Sequence, residues 1–101
     1  MQVRLIVPNV FPNTIESYGP EIADIAGGFT ATLATGGWKD SSGSLLVEPV
    51  TVFDCNDETV SHWGPEAIKD DWRSLAKRIA DELSQDCVYL SFDGRVEYIT
   101  K

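Results

Sequence analysis

Apolar and polar residues alternate in several short segments of the chain, a pattern typical of half-buried β-strands. Five segments have this pattern and predict strands at residues 3–7, 29–33, 45–53, 88–92 and 96–99. Asp93-Gly94 separates the last two segments and predicts a two-residue hairpin turn between them. Pro49 lies inside the third segment, where it cannot donate a ladder hydrogen bond, and it predicts a bulge or an edge position.

Two further segments repeat apolar residues every three or four positions and predict amphipathic helices. The first begins after Asn13, a potential N-cap with Glu16 three positions later, and ends at Gly27-Gly28. Pro20 interrupts it, which predicts a kink or two short helices. Its apolar face consists of Ile15, Tyr18, Ile22 and Ile25.

The second predicted helix is longer and starts at Pro65. Its apolar face consists of Ile68, Trp72, Leu75, Ile79 and Leu83. Its other face should be solvated and carries Asp71, Lys77, Arg78, Asp81 and Glu82. Between the elements, Gly36-Gly37 and residues 41–43 predict a turn-rich connection around Trp38, and residues 56–64 predict a polar loop.

The order of these elements is β-α-β-β-α-β followed by a hairpin strand. This order predicts an α+β fold, a ferredoxin-like βαββαβ sandwich with an additional C-terminal strand, as a single domain over residues 1–101. Two helices cover one face of such a sheet. In the third strand, however, the residues that face either side of the sheet are largely apolar. A sheet that is apolar on both faces predicts a partner, and a symmetric homo-oligomer is the simplest one.

The composition argues against several classes of partner. The chain has 16 acidic and 8 basic residues and a formal net charge of −8, which disfavours nucleic-acid binding. We expect no signal peptide, because the first strand begins at once, and no apolar run approaches the roughly 20 residues of a membrane span. Cys55 and Cys87 lack a partner motif, so we expect two reduced packing cysteines and no metal site.

Most catalytic constellations are absent from the sequence. His62 is the single histidine and falls in the polar loop, where a surface imidazole is the simplest interpretation. Asp54, Asp57 and Glu58 match no calcium-loop spacing and are best interpreted as solvated. What remains is Glu48 inside an apolar strand, Trp38 on the connection that leads to it, and Gln85-Asp86 after the second helix. A carboxylate near an aromatic ring suits a cationic ligand. The structural alternatives are that Glu48 is a buried hydrogen-bond anchor and that Trp38 packs within the hairpin.

Two short motifs resemble the phage S-adenosylmethionine lyases, formerly called hydrolases. The first is Gly37-Trp38-Lys39-Asp40 followed by Glu48 and, seven residues later, Cys55. The second is the run DELSQDCV at residues 81–88, similar to the family's Asn-Glu-Trp-x-Gln-Asp-Cys-Val pattern at the end of its second helix. The order of elements agrees over residues 2–92. Trp38 stands where that family has tyrosine, the turn before Glu48 is one residue shorter, and the loop before Pro65 is longer.

A second resemblance is to an uncharacterised bacterial ferredoxin-like family without an assigned activity. Phe29-Thr30, Gly37-Trp38, Glu48 and the Gln85–Val88 run are similar to its pattern, and Trp38 fits it better than the lyase pattern.

The lyase resemblance implies that the substrate's carboxylate attacks its own γ-carbon, giving homoserine lactone and 5′-methylthioadenosine without a cofactor. It implies that Glu48 and Trp38 are the catalytic pair and that Asn9, Val10 and Phe11 bind substrate at a subunit boundary, with a trimer favoured. It further implies a bacteriophage protein acting against restriction in the host cytoplasm. The alternative function is a non-catalytic homo-oligomer that binds a small ligand or a protein partner.

Overall fold

The computed structural model describes residues 1–10 and 13–101. The strands are β1 (Gln2–Pro8), β2 (Thr30–Lys39), β3 (Leu45–Asn56), β4 (Cys87–Phe92) and β5 (Arg95–Thr100). The helices are α1 (Thr14–Ala26) and α2 (Pro65–Glu82). The strands form one antiparallel sheet in the order β2-β3-β1-β4-β5. This arrangement confirms the predicted ferredoxin-like fold with an extra strand.

The helices cover one face of the sheet, and the core lies between the helices and the sheet. The odd-numbered residues of β1 and β3 and the even-numbered residues of β4 point into it, so that Leu5 pairs with both Phe53 and Leu90. Trp72 from α2 is completely buried against this layer. No helix within residues 1–10 and 13–101 covers the opposite side of the sheet, which is called the open face below. Ile6, Val52, Tyr89 and Tyr98 form one row across it.

Helix α1 is fixed at both ends by the residues that the sequence indicates. The Asn13 side chain accepts hydrogen bonds from the backbone N–H groups of Ile15 and Glu16, at 2.8 and 3.3 Å. Gly27 ends the helix in the left-handed conformation, with φ of 85°. The helix runs through Pro20 without a break, so the expectation of two short helices is wrong. Pro20 is exposed, and the carbonyl group that would accept its missing N–H belongs to exposed Glu16, which water can solvate.

Helix α2 buries the predicted apolar stripe, and the five residues predicted for its outer face are exposed; two of them also contact α1. Arg78 forms an ion pair with Glu21 of α1. The Tyr18 hydroxyl donates to the Glu82 carboxylate at 2.9 Å, and burial together with this bond raises the pKa of Tyr18 to about 12. These contacts hold the two helices together over the sheet. No helix in the described part of the chain is long and apolar enough to cross a membrane.

The hairpin of β2 and β3 extends well beyond the rest of the sheet. Its register runs without interruption from Thr30 opposite Asp54 to Lys39 opposite Leu45, whereas β1 stops at Pro8 opposite Val50. The part of the hairpin beyond this point, residues 35–49, is called the arm. It contributes to an elongated outline of 46 × 26 × 22 Å.

The arm corrects two predictions from the sequence. Gly36, Gly37 and Trp38 belong to β2 and do not form a turn; the turn is at residues 40–44, where the Asp40 carboxylate accepts from the N–H groups of Ser42 and Ser44. Pro49 causes no bulge. In an antiparallel ladder the N and C=O of one residue face the same neighbour. The Pro49 carbonyl accepts from Asn9 N–H at 3.1 Å, so the proline nitrogen faces a position where β1 has ended and no donor is needed.

Candidate functional site

A cleft of about 560 Å³ lies on the open face where the arm leaves the sheet. Its floor includes Ile6 and Pro8 of β1 and Val50 of β3. One end is formed by the arm and the other by the start of β4 together with β5. The cleft therefore crosses four strand boundaries and receives side chains from segments that are far apart in the sequence.

Glu48 lines the arm end of this cleft. Because β3 has no bulge, simple alternation places Glu48 on the open face with Leu46, Val50 and Val52. Its side chain is half-buried, and it makes no hydrogen bond or ion pair within the described residues. Gly36 lies directly opposite on β2 and leaves the carboxylate accessible. The site therefore presents an unneutralised negative charge to whatever enters the cleft.

Trp38 lies two residues further along β2, opposite Leu46, and also lines the cleft. It is 42% exposed, so part of its ring faces solvent. In the turn that follows, the Ser42 hydroxyl and the Ser44 N–H donate to the Asp40 carboxylate and hold its pKa below its usual range. The structure thus brings the predicted pair Glu48 and Trp38 to one end of one cleft.

The segment between α2 and β4 lines the cleft from the side. Ser84 adopts a positive φ of 53°, and Gln85 N–H returns to the Ala80 carbonyl at 2.8 Å, which turns the chain sharply out of the helix. Gln85, Asp86 and Cys87 then face the cleft. Cys87 is exposed, so the expectation of two packing cysteines holds only for buried Cys55.

Two tyrosines that the sequence did not single out form the far end of the cleft. Tyr89 of β4 and Tyr98 of β5 pair directly across the strands. Their rings pack edge to face, with centroids 5.9 Å apart and an interplanar angle of 80°. Alternation along β4 already places Tyr89 on the face of the sheet opposite to that of buried Val88 and Leu90. The register that brings both rings to the same cleft as Glu48 is visible only once β1 is known to lie between β3 and β4.

Asn9 and Val10 of the predicted substrate-binding loop lie outside this cleft within one chain. The Asn9 side-chain oxygen accepts from the Thr51 hydroxyl at 2.6 Å and from the Thr14 hydroxyl at 3.4 Å. Val10 N–H donates to the same Thr14 hydroxyl at 2.9 Å. These bonds fix the loop beside the start of α1, whereas the cleft ends at Pro8. Phe11 lies outside the described residues.

No family model matches the chain, and no curated protein matches it. A solved structure, a phage SAM lyase in complex with S-methyl-5′-thioadenosine, is similar to this chain with a TM-score of 0.72 and 20% sequence identity. The similarity covers 99% of this chain and 88% of that one. Since it includes both helices and the whole sheet, the chain has the fold of this phage lyase.

Proposed function

We propose that this protein is an S-adenosylmethionine lyase that converts S-adenosylmethionine to homoserine lactone and 5′-methylthioadenosine. The observation that carries the proposal is the unpaired Glu48 carboxylate in a cleft with aromatic walls. The fold of a phage SAM lyase, whose structure holds the thioadenosine that this reaction would release, supports it.

The proposed reaction requires positioning and needs no nucleophile from the protein. A carboxylate oxygen of the methionine tail attacks the γ-carbon, forming a C–O bond, while the C–S bond breaks and its electron pair returns to sulfur. The sulfonium and the carboxylate neutralise each other, and the ammonium group stays on the lactone. Holding the tail in its attack geometry lowers the entropic part of the barrier. Excluding water from two charges that disappear lowers it further.

The cleft offers suitable groups for the substrate's two cationic centres. Glu48 accepts hydrogen bonds from the ammonium group, since an ionised acceptor strengthens such bonds. Trp38 packs against the sulfonium or the adenosine, because the face of an indole ring attracts positive charge. The net charge of −8 favours the approach of a cation over long range.

We further propose that the complete site forms between copies of the chain. Asn9, Val10 and Phe11 would reach the cleft of a neighbouring copy, since Asn9 and Val10 lie outside the cleft of their own chain. A closed homotrimer, present in the host cytoplasm of an infected bacterium, would deplete the methyl donor that restriction–modification systems require.

Incubating the purified protein with S-adenosylmethionine and separating the products by liquid chromatography tests the proposal. We expect stoichiometric methylthioadenosine and homoserine lactone. The Glu48→Gln variant should lose about 10- to 100-fold in kcat/KM, the equivalent of one charged hydrogen bond.

Asp54→Asn is the matched control for that variant. Asp54 lies on the same strand and the same face, but it pairs with Arg4 and lies outside the cleft. It should retain activity. Absence of turnover by the wild-type protein would leave the non-catalytic oligomer as the better description, and full activity of Glu48→Gln would remove the role given to Glu48.

A further inference from the structure

The cleft has two chemically different ends, which lie too far apart to contact the same part of a small ligand. Glu48 and Tyr89 are separated by two strand spacings, about 10 Å, and by four residues along the strands, about 13 Å. The corresponding distance between Cα atoms is roughly 16 Å. Side chains reach inward from both ends, which leaves a gap that an extended nucleoside with an amino-acid tail can bridge.

The tyrosine end has the features of a stacking surface. Tyr98 is 66% exposed, so its ring is available to a ligand, and the edge-to-face contact with Tyr89 holds it upright on the sheet. Neither hydroxyl makes a hydrogen bond within the described residues. The adjoining floor is apolar, with Ile6 directly opposite Tyr89. Such a wall suits a flat aromatic group better than a charged tail, because stacking on a tyrosine ring is favourable for any nucleobase.

We infer that Tyr98, supported by Tyr89, binds the purine base of the substrate and determines the specificity for a nucleoside sulfonium. The inference rests on the proposed function and deepens it. If the base lies on the tyrosines and the ammonium lies on Glu48, the sulfonium falls between them. Trp38 lies two residues beyond Glu48 along the arm and further from the tyrosines, so it faces the charged part of the substrate and the base is not its ligand.

Binding experiments with three ligands separate these roles. S-adenosylmethionine carries the base and the charge, methylthioadenosine carries the base alone, and 5-methylthioribose carries neither. The Tyr98→Leu variant should weaken the binding of the first two by about 5- to 100-fold, the range for loss of one base–aromatic stack. It should leave methylthioribose binding unchanged. Trp38→Leu should instead weaken S-adenosylmethionine more than methylthioadenosine.

Two controls keep the result interpretable. Tyr98→Phe retains the ring and should bind like the wild type. Val96→Ala changes an exposed residue on the same face of the same strand, outside the cleft, and should have no effect. Equal binding of methylthioadenosine by the wild type and by a folded Tyr98→Leu protein would overturn the inference while leaving the lyase proposal intact. A wild-type protein that neither binds nor cleaves S-adenosylmethionine would overturn both.

Discussion

The two cysteines differ in their exposure to solvent, which controls the access of reagents to a thiol. Cys55 lies in the core, and burial, together with the negative charges of Asp54 and Asp57, raises the pKa of its thiol to about 11. Cys87 is exposed and lines the cleft beside Asp86. The thiolate is the reactive form of cysteine. Cys55 is therefore protected because reagents cannot reach its sulfur and because its thiol stays protonated at neutral pH.

Iodoacetamide at neutral pH should therefore modify one thiol of the native protein, and peptide mass spectrometry should locate it at Cys87. Methylthioadenosine at saturating concentration should slow this modification, because it occupies the same cleft. The Cys87→Ser protein should stay unmodified until it is unfolded. An alkylation rate that no ligand changes would place the binding site elsewhere.

Asp57 is a buried carboxylate with a structural role. It is 3% exposed, and it accepts from the Trp72 indole N–H at 2.8 Å and from the Thr59 N–H at 2.9 Å. Burial alone would raise its pKa, but the hydrogen bonds from Thr59 and Trp72 outweigh burial and hold the pKa below its usual value. The carboxylate thus anchors the loop after β3 to the centre of α2.

Replacing Asp57 by alanine should lower the free energy of unfolding by about 1–3 kcal/mol, because the indole N–H of Trp72 loses its buried acceptor. Denaturant titration followed by tryptophan fluorescence measures the change. A depressed pKa contributes stability above the unfolded-state value near 3.9, and this contribution is lost as the pH falls through the folded-state value. The stability difference between wild type and Asp57→Asn should therefore be constant above about pH 5 and shrink below it. Asp71→Asn, at an exposed position of α2, serves as the control for the change in net charge.

At the scale of elements, the neighbouring glycines of β2 face opposite sides of the sheet. A methyl group on Gly36 would lie 3.0 Å from the Val50 side chain, at the floor of the cleft beside Glu48. A methyl group on Gly37 would meet its neighbours at 3.7 Å or more, which is ordinary contact. Gly36 thus keeps the cleft open, whereas Gly37 has no such constraint.

Gly36→Ala should lower the free energy of unfolding by about 1–3 kcal/mol, as is typical of overpacking, and should weaken the binding of S-adenosylmethionine, whose ammonium group is proposed to lie at Glu48. Gly37→Ala should leave binding unchanged and stabilise the protein by about 0.5–1 kcal/mol, because alanine loses less backbone entropy in a strand. Calorimetric binding and thermal unfolding of the two variants compare positions one residue apart. Equal loss of binding in both variants would mean that any substitution in this part of the arm disturbs binding, and that the space beside Val50 is not the cause.

The same glycines show where reasoning from the sequence stops. Periodicity predicts both helices and the existence of all five strands, but not the full length of β2, because it detects only segments with large apolar side chains on a buried face, such as Trp72 and Leu90. Glycine has no side chain to reveal alternation, so Gly36-Gly37 predicts a turn, although Asp40 and the serines after it supply the turn. Glu48 and Trp38 could be proposed from their chemistry alone. Tyr98 could not, because only the strand order connects β5 with the arm.

At the scale of the whole molecule, the arm exposes apolar side chains on the face that the helices cover elsewhere. Leu45 and Val47 are 66% and 59% exposed, because neither helix reaches past the end of β1. Trp38 and Leu46 are partly exposed on the other face. A projecting hairpin that is apolar on both sides fits the proposed contact with further copies of the chain.

Replacing Leu45 and Val47 by serine should weaken self-association at least tenfold, since burial of each side chain contributes about 1.5–3 kcal/mol. Light scattering after size-exclusion chromatography measures the mass over a range of concentrations. Val60→Ser is the control, because Val60 is 93% exposed but lies in the loop before α2. A wild-type protein that stays monomeric at micromolar concentration would remove the shared site from the proposal.

Self-association alone does not show that two copies of the chain share a site. Mixing two variants with different defects tests this directly. Glu48→Gln damages the cleft, and Phe11→Ala damages the loop proposed to reach into a neighbouring cleft. In a head-to-tail ring, about a quarter of the boundaries in a randomly reassembled mixture combine an intact cleft with an intact loop. Activity should therefore return to about a quarter of the wild-type value after joint refolding, although each variant alone is nearly inactive. If cleft and loop act within one chain, every copy in the mixture carries one defect and no activity returns.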